Sequence, residues 1–218
     1  MSGKLPYGGE VTSSRDLAQR ERQLLCDLFI SLGPDAPTLC EGWDTRHLAA
    51  HLFLRESRPD AALGLVGGPM AKRLDQLMSQ TAARPWPELV DAIRNGPPPW
   101  SPMRWLDGVA NLVEFVVHRE DVKRAQSPQL NEDRDGATLD MIWSRAKMSA
   151  PLLLRGQAVT LTWPDHESYR LRGDEALRVE LIGSPVDLLL VATGRAVPID
   201  IQGTTEAVAA FNKKTRRI

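Results

Sequence analysis

The sequence predicts an α+β protein built from a helical N-terminal bundle and a small C-terminal α+β domain. Three observations carry this. Up to about residue 150, apolar residues recur at spacings of three and four, the period of helices with one buried face. From Gln157 the pattern becomes strand-like, with Val159, Leu161 and Trp163 alternating with Thr160 and Thr162. Between these regions, Asp107, Asn111, Glu114, His118 and Asp121 form a polar stripe along an otherwise apolar helix, which suits the lining of an internal site better than an outer surface. The expected organisation is a flexible segment over 1–13, a helical domain over 14–152 and an α+β domain over 153–218.

Each element has its own signals. Ser13 or Ser14 can cap a first helix carrying Leu17, Leu24, Leu25, Leu28, Phe29 and Leu32, which Gly33 and Pro34 stop. Residues 38–43 read as a loop, after which Asp44 or Thr45 caps a second helix holding His47, Leu48, His51, Leu52 and Leu54, with Pro59 near its end. A glycine-rich break at Gly64, Gly67 and Gly68 leads to lesser helices, the clearest over 87–95 with Gly96 just beyond it. The proline run 97–102 is a rigid connector. A long helix is expected over 103–125, and Asp133 or Asp135 opens another with Leu139, Ile142, Trp143 and Ala146, making a bundle of four or five helices. In the second domain, strands are expected over 158–163, 168–171, 177–182 and 197–201. Ser184 and Pro185 open a helix that ends at Gly194, and a closing helix follows over 204–211.

Composition narrows the function. With 27 basic against 28 acidic residues the chain lacks the broad positive field of a nucleic-acid binder; only Lys213, Lys214, Arg216 and Arg217 form a basic cluster, at the tail. No apolar run reaches the roughly 18 residues of a membrane span, and the first residues lack the apolar core of a signal peptide, so a cytoplasmic protein without membrane partners is expected. Cys26 and Cys40 provide neither a disulfide framework nor zinc-type cysteine spacing, and both read as buried small apolar residues.

Glu114 and His118 stand four residues apart on the long helix and therefore share a face, and His51 can approach from the second helix. Leu112, Val113, Phe115, Val116, Val117 and Val122 flank the pair, and a carboxylate among them is costly unless a cation meets it. Three protein ligands with one position open is the arrangement of a working metal. His47 is a rival ligand, since it forms its own i, i+4 pair with His51. Asp121 has two roles open to it, orienting His118 or lying exposed in a salt bridge. Trp43 is expected to pack on the end of the bundle, Arg55 and Glu56 to pair with each other, and His166 to be an exposed turn residue.

Two segments, LCEGWDTRHLAAHLFLRE and EFVVHREDVKRA, resemble the DinB-like metal-binding family, in its actinobacterial branch related to mycothiol-dependent maleylpyruvate isomerase. The segment GSPVDLLLVATGR looks like the small C-terminal domain of those isomerases, which is similar to sterol-carrier-protein folds. The resemblance implies a divalent metal, usually zinc, held by His51, Glu114 and His118, with mycothiol as the thiol cosubstrate of an isomerase or transferase. It also implies a small anionic or electrophilic substrate. Arg195, in the ATGR segment, is the one residue of the second domain offered as a catalytic contributor. A metal-binding or sensing protein without turnover and a metal-dependent hydrolase are the alternatives. The sequence sets no oligomeric state.

Overall fold

A computed structural model describes residues 13–58, 69–101, 110–127 and 134–215. Among these residues the chain forms eight α-helices, a short 3-10 turn and one sheet of four strands. It divides into two compact units, Met1–Glu132 and Asp133–Ile218.

The described residues of the first unit form five α-helices: α1 (Ser14–Leu32), α2 (Thr45–Ser57), α3 (Pro69–Ala82), α4 (Trp86–Arg94) and α5 (Ala110–Gln126). Their ends are set by the expected chemistry. Ser13 Oγ accepts from the Asp16 amide at the start of α1, and Gly33, at φ +82°, ends it with its N–H on the Phe29 carbonyl. Asp44 caps α2 by accepting from the His47 amide at 2.9 Å. Leu25, Phe29, Leu48, Leu52, Leu89, Ile93, Phe115 and Val122 meet in one core shared by α1, α2, α4 and α5, and α3 packs on α2. That core fixes α2 and α5 as rigid supports for the polar residues between them. The expected start of the long helix before Ala110 and the glycine break at 64–68 lie outside the described residues.

The second unit contains α6 (Gly136–Leu153), β1 (Val159–Thr162), β2 (Tyr169–Arg170), β3 (Val179–Ile182), α7 (Pro185–Ala192), β4 (Asp200–Gly203) and α8 (Thr205–Thr215). The sheet order is β2-β1-β3-β4, with β1 and β3 parallel at the centre and both edge strands antiparallel to their neighbours. The division of the chain differs from the sequence expectation in one element. α6 buries Ile142, Trp143, Ala146 and Ala150 and packs against α7, so it lies with the sheet unit rather than with the preceding helices.

Two strands also differ from expectation. The fourth begins at Asp200 rather than Val197, because Pro198 has no amide donor for the ladder and the pairing with β3 starts at Ile182↔Asp200. The third loses its first residues to a 3-10 turn over Glu175–Leu177, capped by Asp174 accepting from the Ala176 amide. The β1–β2 turn is as expected: Asp165 takes φ +66° and the exposed His166 ring stacks on Trp163 at 3.4 Å.

Candidate metal centre

α2 and α5 bring three side chains to one point. His51, in the middle of α2, places Nε2 3.0 Å from Glu114 Oε1 on α5, and His118, one turn after Glu114, places Nε2 3.2 Å from the same oxygen. The two imidazole rings meet edge to face, their centroids 5.4 Å apart. The ligand atoms of all three lie within 4.8 Å of one another. His51 and Glu114 are half-buried while His118 is buried, so solvent reaches the group in part.

A loop supports this arrangement from behind. Asp121 is fully buried, and its Oδ2 lies 2.9 Å from His118 Nδ1 and 3.2 Å from Cys40 Sγ. The loop backbone is tied to the same residue, with the Leu39 amide donating to the Asp121 carbonyl at 3.1 Å. An ionised carboxylate only accepts, so Nδ1 of His118 carries a hydrogen and, in the neutral ring, Nε2 presents a lone pair. That lone pair faces Glu114 Oε1, itself an acceptor. A proton or a metal cation at that position satisfies both.

The electrostatics agree. Burial pushes the Glu114 carboxyl up, yet hydrogen bonds from His118 and His51 and the nearby Arg55 charge hold it well below the usual carboxylate range. Burial pushes the His118 ring down, yet its bonds to Asp121, Cys40 and Glu114 hold it well above the usual histidine value. Two imidazole nitrogens and a carboxylate oxygen, with a second carboxylate fixing one tautomer, form a donor set that fits a divalent ion such as zinc.

The remaining oxygen of Glu114 is held by Arg55, whose Nε stands 3.3 Å from Oε2. Arg55 also donates to Asn111 Oδ1, and Asn111 in turn donates to Glu56 Oε1 at 3.2 Å. Glu56 forms a two-pronged pair with the fully buried Arg22 at 2.6 Å for each bond. Arg55 and Glu56 therefore do not make the exposed pair with each other that adjacency suggests. Each serves a different part of one chain of bonds running from Glu114 into the core.

The other singled-out residues fall as follows. His47 is exposed and its Nδ1 sits 2.7 Å from the capping Asp44, so it takes no part in the cluster. Trp43 packs its ring against His51, with centroids 5.2 Å apart. Arg195 belongs to the second unit, following α7, where its Nη1 donates to the Thr193 carbonyl at 2.8 Å. Asp107 lies outside the described residues. Sequence reasoning missed two partners. Cys40 is a hydrogen-bond donor to Asp121 rather than packing alone, and Arg22 is the counterion of Glu56.

Fold and site together define a class: an α+β protein in which a helical unit carries a histidine–carboxylate cluster and a small mixed sheet follows. Within that class the chain is similar to a crystal structure of a histidine-to-alanine mutant of mycothiol-dependent maleylpyruvate isomerase. The TM-score is 0.52 at 14% identity, covering 87% of this chain and 91% of that one. At this identity the likeness is one of fold. No family model matches the chain. No curated protein matches it.

Proposed function

We propose that the chain is a zinc-dependent isomerase or transferase that uses a low-molecular-weight thiol, mycothiol or a close analogue, as cosubstrate. The observation that carries this is the convergence of His51 Nε2, Glu114 Oε1 and His118 Nε2 from two helices beside a buried carboxylate–histidine pair. The fold likeness to a thiol-dependent isomerase supports it. The chemistry a divalent ion supplies in such a site is Lewis acidity, under which a coordinated thiol is deprotonated near neutral pH.

The chain's own residues prepare the site. His51 and His118 present neutral nitrogens and Glu114 a carboxylate, so two neutral groups and one negative charge stand against a dication and leave a net positive centre for an anionic thiolate or substrate. Asp121 and Cys40 hold the tautomer and orientation of His118. Arg55 restrains Oε2 of Glu114 and leaves Oε1 to the cluster. The thiolate would be the nucleophile: it would add to an activated double bond of a small electrophilic or anionic substrate as the π electron pair moves onto the activating group, and after rotation about the resulting single bond the pair would return and expel the thiolate. Arg195 is the candidate contributor from the second unit, and a DinB-like bundle with a sterol-carrier-like second domain remains the architecture proposed. The cytoplasm is the compartment proposed.

Titration of the cobalt-substituted protein with a small thiol tests this reading. A sulfur-to-cobalt charge-transfer band that saturates with thiol is expected. A visible spectrum that stays unchanged at millimolar thiol would count against it.

A further inference from the structure

The second unit carries a cleft of about 400 Å³ where the end of α6 meets β2. That volume lies within the range of roughly 300–1,000 Å³ typical of small-molecule sites. Its floor is apolar, formed by Leu154 and Leu171, both buried, with the half-buried ring of Tyr169 at the side. Its rim is basic: Arg155, Arg170 and Arg172 all line it and are all exposed.

The charges there are not balanced. Glu175, the acid that serves this rim, is already shared between Arg170 and Arg178. Asp174 accepts from the Ala176 amide as a cap. Arg155 and Arg172 make no side-chain hydrogen bond or ion pair among the described residues. A chain with 27 basic and 28 acidic residues thus places two guanidinium groups, those of Arg155 and Arg172, at one apolar-floored cleft without an acidic partner among the described residues. Guanidinium forks match carboxylates in two-pronged geometry.

We propose that this cleft binds an organic carboxylate with an apolar body, the carboxylate on Arg155 and Arg172 and the body on Leu154, Leu171 and Tyr169. The site belongs to the sheet unit and does not depend on the proposed metal chemistry. A second role for Arg170 on β2, blocking edge-to-edge pairing of an edge strand, would require no ligand.

The test uses the full chain and 2-naphthoate, followed by its fluorescence and by amide shifts. Saturable one-site binding is expected, with shifts centred on residues 154–156 and 169–172. Affinity should fall at least about tenfold in the R155A/R172A double variant, as loss of charge-assisted bonds demands, and to a similar extent for the uncharged 2-naphthylmethanol. His51→Ala should leave binding unchanged, which separates this site from the metal cluster. Equal affinity in the double variant, equal affinity for the alcohol, absence of saturation up to millimolar concentration, or loss of binding in His51→Ala would each overturn the proposal.

Discussion

The Cys40 thiol and the His118 ring are joined through one oxygen, Oδ2 of Asp121, which lies 3.2 Å from Sγ and 2.9 Å from Nδ1. A loop residue and a helix residue thereby fix the same buried carboxylate, and that carboxylate fixes which nitrogen His118 turns toward Glu114. Asp121→Asn removes the charge while keeping the shape. It is expected to weaken metal binding by about 10–100-fold, the usual effect of losing a carboxylate behind a metal-binding histidine. Cys40→Ala should have a smaller effect in the same direction, and Cys40→Ser, which keeps a donor, should recover most of it. Chelator-competition titrations measure all three. Unchanged affinity in Asp121→Asn would show that the tautomer is set by something else.

This link also marks the limit of what the sequence revealed. Ser13, Asp44, Asp135 and Ser184 all cap the helices their chemistry announces, because capping depends on neighbours three residues away. Glu114 and His118 were legible for the same reason, as one helical turn with a polar stripe. Cys40 and Asp121 are 81 residues apart, and a thiol donor has no spacing signature. The partner of Glu56 was hidden in the same way, with Arg22 34 residues earlier. The allegiance of α6 was illegible for another reason: an apolar face on a helix looks alike whether it packs on a bundle or on α7.

The Arg22–Glu56 pair is a buried ion pair whose disruption should be costly. Glu56→Ala leaves a guanidinium fully buried without its counterion and is expected to destabilise the protein by about 3–5 kcal/mol. The double replacement Arg22→Met with Glu56→Met removes both charges and should cost less than the single change. Urea denaturation of the three proteins checks this, and a single-variant cost below about 1 kcal/mol would contradict it.

The pH dependence follows from the directions in which the two cluster residues are held. His118 is raised above 6.5, so its contribution to the stability of the metal-free protein is complete below that value and is lost as pH rises through the folded value. Glu114 is lowered below 4.5, so its contribution is present above that value and is lost as pH falls through the folded one. The metal-free protein should therefore be most stable between these limits. Zinc requires the His118 Nε2 proton to leave, so below the raised His118 value its affinity should climb by about tenfold per pH unit for each proton released. Chelator competition at about pH 6 and about pH 8 measures the slope. An affinity that does not change with pH would show that no proton is displaced.

Metal content measured on the purified full-length protein and its variants asks whether His51, Glu114 and His118 hold one ion. One tightly bound divalent ion per chain is expected, lost almost entirely in each of His51→Ala, Glu114→Ala and His118→Ala and retained in His47→Ala and His166→Ala. Full metal retention in any of the first three, with the variant folded as judged by circular dichroism, would contradict it. So would loss of metal in His47→Ala alone.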